Sequence, residues 1–573
     1  MLSETSSFLK KRSSSVMDAG ELENALEERS KNRWWLCTLF VLASSPGIFN
    51  SMHITSYVFI SGNPKFWCDI PELRKANWTD EEIRNISAIN PQAEENCFMY
   101  KWNYKYFEQI GFNESVNYVQ NNKKPTEVKC TKYLYEEDFP TIVDEWDLVC
   151  EYGTLKSVAQ VAVALGKFFG AFFFGMFADK FGRKKCFVFS CFLYIVSGPI
   201  AGFAHDYYLF LVMRLLIGIA GSGVYESGYT ILTELTVKNH RTRLGCLYNI
   251  SYSVGLMILP LLAYYSNNWR ELQYYLSFPA VILLVHCWLI PESPRWLITQ
   301  GKFEKARNLI YGEKKVEIKL DTVHEAPQQA ATDTTATRRN TNSQFNEVHH
   351  PWYKRLFSAA QRLLKIFASS ELRKRIIICY FLWFVASMCY FVIALNAHNF
   401  TANKYWYVAL NGLSEAPGYV LPLLVLAFVG RKLTGTVLFI IAGVALLLIL
   451  LLNNSVAIMV VALIGRFCMS AVFAVIILHT SELFPTSNRN SAIGTSLTMA
   501  QLGAIVAPFI VDSLGDIHWS IPSTLCGVTS ISAGLLILLL PETRNKPLMD
   551  NLQEIHSIKS KEKVSCYNCF SFS

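Results

Sequence analysis

The 573-residue sequence predicts an all-α membrane protein of twelve transmembrane helices arranged as two six-helix bundles. Three observations predict it. Only 17% of residues are charged while 51% are hydrophobic, against about 25% charged in an ordinary soluble domain. The apolar residues gather in runs long enough to cross a bilayer core of about 30 Å. The third observation is that several polar motifs recur at an offset near 250 positions, so the chain reads as one unit duplicated.

Residues 1–33 are Ser-rich and charged and lack the character of a signal peptide. The apolar run from Trp34 is longer than a signal core, so the first span is expected to stay. The N-terminal bundle, 34–290, holds spans near 34–60, 154–177, 186–204, 206–230, 244–265 and 272–290, with a polar loop at 61–153. Residues 291–375 form a linker, in which Ala326–Asn342 is too poor in apolar residues to build a core. The C-terminal bundle, 376–540, holds spans near 376–396, 405–427, 434–452, 456–480, 489–511 and 520–540, and 541–573 is a tail containing Cys566 and Cys569.

Short loops set the expected orientation. Phe181–Lys185, Lys238–Arg243, Gly430–Lys432 and Arg544–Lys546 are basic and fall between alternate pairs of spans, which places them in the cytoplasm. Both termini are then cytoplasmic, and 61–153 is extracellular on a plasma-membrane protein. That loop carries glycosylation triplets at Asn77, Asn85 and Asn113, and Asn399 begins another beyond the seventh span. It also holds Cys68, Cys97, Cys130 and Cys150, expected to form two disulfides with three pairings open. The net charge of +8 fits basic cytoplasmic loops in contact with the bilayer. It gives no support for nucleic-acid binding.

The repeat is specific. Gly182-Arg183-Lys184 recurs as Gly430-Arg431-Lys432, Arg214 has a counterpart in Arg466, and Pro291-Glu292-Ser293 recurs as Pro541-Glu542-Thr543. Glu234 and Arg241 stand seven apart, as do Glu482 and Arg489. Two parallel six-helix repeats with a site between them near the midplane are a plan of secondary transporters.

Gly175–Lys185 (GMFADKFGRKK) resembles the G-x-x-a-D-r-x-G-R-k-k signature of the major facilitator superfamily. Three features resemble its organic cation, organic anion and carnitine transporter family, solute carrier family 22. They are the Cys-containing first loop, its ending Thr141–Cys150 (TIVDEWDLVC), and Pro291–Leu297 (PESPRWL). Glu21–Arg33 departs from the family by lacking its G-x-F-G-x-F-Q-like stretch, which leaves the start of the first helix open.

The resemblance implies a major facilitator fold and alternating-access transport of a small organic ion. It implies a conformational latch of Asp179, Gly182, Arg183, Glu234, Arg241, Glu482 and Arg489, with salt bridges from Glu234/Arg241 and Glu482/Arg489. Ionisable residues inside spans face a cavity or a partner. Glu415 matches an acidic position of the family's eighth helix, where it either attracts cations or fixes structure beside Pro417. Tyr225 and Glu226 fall on the fourth, cavity-lining helix; Lys167 either pairs with Glu226 or extends toward the membrane surface. Gln501 stands where cation transporters of the family tend to carry Asp and anion transporters Arg, so a neutral amide there points to cations or zwitterions of carnitine or amino-acid-derivative type. Trp383 and Tyr390, seven apart on one face, match aromatic cavity positions, with Phe391 beside them. The chain shows no Walker loop, no H-E-x-x-H and no nucleophile motif, so neither a catalytic residue, a metal nor a cofactor is expected. The competing expectations are a receptor or scaffold that kept the fold, an organic anion carrier, or a sugar porter.

Overall fold

The computed structural model describes residues 19–62, 64–90, 96–136, 139–311, 364, 366–400 and 403–544. Ala326–Asn342, Cys566 and Cys569 lie outside the described residues. Among those described, eleven helices are long and apolar enough to cross a membrane. In order they are spans 1 to 6, Arg33–Ile60, Cys150–Phe181, Arg183–Phe203, Tyr207–Leu235, Arg243–Tyr265 and Trp269–Leu289, and spans 7 to 11, Ser370–Leu395, Lys404–Phe428, Arg431–Leu451, Ser455–Leu483 and Asn488–Ile517. Span 12, Ile521–Ile537, is equally apolar but has 17 residues. The twelve-helix expectation therefore holds, with spans 2, 4 and 11 each several residues longer than the hydrophobic runs suggested.

Span 1 starts where the Asn32 side chain accepts from the N–H groups of Trp34 and Trp35. It bends at Pro46, which cannot donate a backbone hydrogen bond. Before it lies a separate helix, Ala19–Ser30, whose Leu26 is buried. Arg29 on this helix donates to the carbonyls of Leu309 and Ile310, in the last turn of the helix Phe303–Tyr311, where carbonyls lack intrahelical partners. The acidic-then-basic segment thus docks onto the beginning of the linker.

Close helix packing rests on small residues. A Cβ at Gly166 of span 2 would sit 2.1 Å from the Leu215 carbonyl oxygen, and one at Gly218 of span 4 would sit 2.3 Å from that of Val163. Large apolar side chains such as Phe192, Phe203, Trp288, Leu424 and Phe428 stay exposed on the bundle's outer faces, a surface suited to lipid and not to water.

The segment between spans 1 and 2 is a small module of its own. Lys65–Cys68 pairs antiparallel with Tyr133–Glu136, and Phe98–Tyr100 with Glu127–Lys129. Trp67, Ile70, Leu73, Ile83, Ile86 and Phe107 form its core. Of the three pairings, the structure adopts Cys68–Cys130 and Cys97–Cys150. Its end is fastened to the N-terminal half: Glu145 accepts from Trp269 Nε1 at 2.8 Å and pairs with Arg270, and Trp146 Nε1 donates to the His205 carbonyl at 3.0 Å. Asn77, Asn85 and Asn113 are exposed on this module; the Asn399 side chain lies outside the described set.

The halves meet along spans 5 and 8 and along spans 2 and 11. Span 2 is almost wholly buried from Lys156 to Ala164, at the end nearest the module, and mostly exposed from Lys167 to Phe181. The halves are therefore packed together at the module end and part toward the basic-loop end.

Candidate functional site

At the basic-loop end each half builds the same arrangement. Span 2 ends at Gly182, whose φ of +107° suits glycine, and a Cβ there would lie 2.4 Å from Glu292 Oε2. Glu292 Oε1 accepts from the N–H groups of Arg183 at 2.9 Å and Lys184 at 3.1 Å, capping the positive end of span 3. Arg183 donates to Glu234 at 3.1 Å and to Asp179 at 3.3 Å. In the other half Glu542 caps Arg431 at 3.0 Å and Lys432 at 3.1 Å, and Arg431 grips Glu482 through Nε at 3.1 Å and Nη2 at 3.2 Å. Burial opposes ionisation of Glu542, but the N–H groups of Arg544, Thr543, Arg431 and Lys432 hold its carboxyl below the usual range.

This corrects the expected pairing. Glu234 pairs with Arg183 and Glu482 with Arg431, not with the arginines seven residues on. The chain breaks at Thr236 and restarts as the helix Lys238–Tyr248, so Arg241 turns back onto the carbonyls of Thr233 at 3.0 Å and Thr236 at 3.2 Å. Arg489 leaves Nε and Nη2 buried and without a hydrogen-bond partner among the described residues. Glu292, Arg431 and Glu542 were visible in the repeat, yet nothing in the sequence marked them as the caps and clamp.

In the middle of the C-terminal half, Glu415 and Arg466 are buried and form an ion pair at 2.7 Å. Tyr390 and Tyr419 also donate to Glu415 Oε1, at 2.7 and 2.6 Å. Arg466 donates to the Tyr390 carbonyl at 2.8 Å and stacks 3.5 Å from that ring's centroid. Of the two readings left open for Glu415, fixing local structure is the one this geometry supports, because its charge is already answered. Trp383 is buried with Nε1 donating to Thr480 Oγ1 at 3.1 Å, and Tyr390 is buried too. In this conformation Trp383 faces Phe473 and Thr480 of span 10, Tyr390 lies between Glu415 of span 8 and Arg466 of span 10, and neither ring presents an open face.

The N-terminal half differs. Arg214 is buried, but it donates to neutral acceptors: the His53 carbonyl at 3.1 Å, Ser56 Oγ at 3.2 Å and Gln160 Oε1 at 3.2 Å. Lys167 is half-buried with Nζ 6.0 Å from the Phe391 ring, across the seam between the halves. Glu226 is exposed and accepts from Ser222 at 3.0 Å. Glu226 and Lys167 lie within electrostatic reach of one another but close no ion pair. Tyr225, half-buried beside Glu226, donates to Asn249 Oδ1 and packs edge-on against Tyr248. Gln501 is half-buried on span 11, two residues before Gly503, which abuts the backbone of span 7 at Phe384.

Residues 98–553 match the family profile described as "Sugar (and other) transporter". An organic cation transporter protein from Drosophila melanogaster is 30% identical over 529 residues, covering 90% of this chain and 91% of the relative. Solute carrier family 22 member 3 from Mus musculus is 27% identical over 542 residues, covering 92% and 94%. The inward-open xylose transporter XylE from E. coli shares the fold with a TM-score of 0.55 at 13% identity, covering 90% and 98%. With its duplicated bundles, its capped basic loops and these relatives, the chain belongs to the major facilitator superfamily of membrane transporters, within the family of solute carrier family 22 and the organic cation transporters.

Proposed function

We propose that the protein carries small organic ions bearing a positively charged nitrogen, either cations or zwitterions, across the plasma membrane by alternating access. In this proposal both termini are cytoplasmic, 61–153 is extracellular with Asn77, Asn85, Asn113 and Asn399 as glycosylation sites, and the bundles 34–290 and 376–540 rock about the linker 291–375. No step is enzymatic. The observation that carries the substrate class is the pair Lys167 and Glu226, a base and an acid near the seam with no ion pair consuming either. Ionisable residues within spans face a cavity or a partner and mark substrate pathways, and neither of these charges is committed to an ion pair among the described residues. An ammonium group would be held by Glu226 with Tyr225 beside it, a carboxylate by Lys167, and Gln501 would serve either through its amide. The relatives named as organic cation transporters support the ammonium end.

The test is radiolabelled uptake of a cation, an anion and a zwitterion in cells expressing wild type, Gln501→Asp, Gln501→Arg, Lys167→Met or Glu226→Gln. Uptake of the cation or zwitterion above untransfected cells is expected, with preference moving in at least one variant. Absence of uptake for all three, with the protein at the surface, would favour a receptor or scaffold. Uptake of the anion alone would favour the organic anion reading.

A further inference from the structure

A carboxylate on span 11 joins the two halves at the module end. Pro508 interrupts the backbone donors of this helix, and the turn that follows, Ile510–Leu514, widens to π-helical geometry, a distortion that concentrates at functional positions. Asp512 lies within that turn. Its Oδ2 accepts from the Tyr57 hydroxyl of span 1 and the Ser157 hydroxyl of span 2. Both donors belong to the N-terminal half and the acceptor to the C-terminal half. Around it, the Phe59 ring of span 1 lies 5.3 Å from that of Tyr405 on span 8, and Tyr405 lies 5.9 Å from Tyr264 on span 5. Lys156, beside Ser157, is within electrostatic reach of Asp516. The hydrogen bonds and ion pairs described above for the basic-loop end, by contrast, each stay within one half.

We infer that Asp512, with Tyr57 and Ser157, is the outer latch that holds the module end closed and is broken on every opening to that side. The inference rests on the alternating-access reading and names the residues that carry it at that end. Two hydroxyls on one ionised oxygen make charge-assisted hydrogen bonds, stronger than neutral ones. They are also geometrically incompatible with separated halves, because spans 1 and 2 would move away from span 11. Asp512 is therefore a positioning residue: it selects a conformation without having to touch substrate.

The experiment reads conformation without needing a substrate. A Glu226→Cys reporter, exposed deep in span 4, is labelled with a membrane-impermeant maleimide added outside intact cells. The same variants without the reporter correct for native cysteines. Asp512→Asn and Tyr57→Phe are expected to raise the labelling rate by about tenfold, the scale of losing one charge-assisted bond. The double variant should add little to the larger single effect, since both remove one contact. Ser157→Ala should act in the same direction and carries the test if Asp512→Asn fails to reach the surface. Unchanged labelling in all surface-expressed variants, or full additivity in the double variant, overturns the latch. Uptake is measured on the wild-type protein without the reporter, since Glu226 belongs to the proposed binding site. A rise in labelling in the latch variants with no wild-type uptake of any probe would leave the latch standing and remove the transport reading; normal wild-type uptake with unchanged labelling would remove the latch alone.

Discussion

Arg183 and Arg431 stand 248 positions apart, as do Glu234 and Glu482, whereas Arg214 and Arg466 stand 252 apart. The extra four residues are one helical turn. Gly170 of span 2 packs on Ile219 and Ser222, and Gly418 of span 8 packs on Phe467 and Ser470. These contacts confirm 248 as the structural offset through the membrane. Arg466 thus corresponds in level to Gly218, and Glu415 to Lys167. The C-terminal half has an acid and an arginine facing each other. The N-terminal half has a lysine where the acid would be, and its arginine lies one turn nearer the module end among neutral acceptors. The ends of the bundles have kept the duplicated geometry because helix caps and the ion pair constrain it to tenths of an ångström. Their centres have diverged into one half that is internally neutralised and one that keeps charges available.

The largest effect expected from breaking this comparison is at Glu415. Glu415→Ala leaves Arg466 buried without its counter-charge, a loss of about 3–5 kcal/mol, seen as depleted surface protein and a much lower Tm of the detergent-solubilised protein. Lys167→Ala should melt close to wild type. Similar Tm values for the two variants would erase the distinction between the halves.

Next in size are the repeated clamps. Arg183→Ala and Arg431→Ala should each lower uptake by about tenfold or more while surface amounts, measured by biotinylation, remain. Such a drop corresponds to about 1.4 kcal/mol or more in the conformational balance. Asp179→Ala should also lower uptake, but less. Its side chain is 59% exposed, and its counterpart at the same offset is Ala427. An Asp179→Ala defect equal to that of Arg183→Ala would shift the weight from Glu234 to Asp179.

Substrate selection sharpens the contrast further. Lys167→Met should weaken zwitterion uptake several-fold and leave cation uptake near wild type, while Glu226→Gln should weaken both. Matched losses for both probes in Lys167→Met would show that the lysine holds structure and not a carboxylate. The smallest effect is at Glu542. A carboxyl whose folded-state value is depressed contributes stability above its unfolded value and loses it as pH falls through the folded one. Glu542→Gln should therefore lower Tm slightly at neutral pH, with the gap to wild type closing only below the ordinary carboxylate range. A gap that persists unchanged in acid would assign the effect to packing.

Much of this architecture was legible in the chain. Membrane spans are long, uniform signals, and the paired Gly-Arg-Lys and Pro-Glu motifs survive duplication because each performs a local task at a helix end. The disulfide cysteines were legible as a set, but their pairing goes with a nested strand arrangement, Lys65–Cys68 on Tyr133–Glu136 and Phe98–Tyr100 on Glu127–Lys129, which no spacing encodes. The arginine seven residues after each glutamate suggested two turns of continuous helix; the break at Thr236 undid that geometry in the first half. Glu415 and Arg466 lie on different spans, 51 residues apart, so nothing local announced that they neutralise one another. Nor could the sequence say that Tyr390 and Trp383, correctly placed on one face, turn that face toward spans 8 and 10.

The fastening of the 61–153 module by Cys97–Cys150, Glu145–Arg270 and Trp146–His205 has a practical consequence. The module is fastened covalently and by an ion pair to the N-terminal half, while the loop after span 7 belongs to the other, so a dye on each would act as the two arms of a protractor. Energy transfer between them would report the angle between the bundles in living cells, with neither dye entering the permeation path.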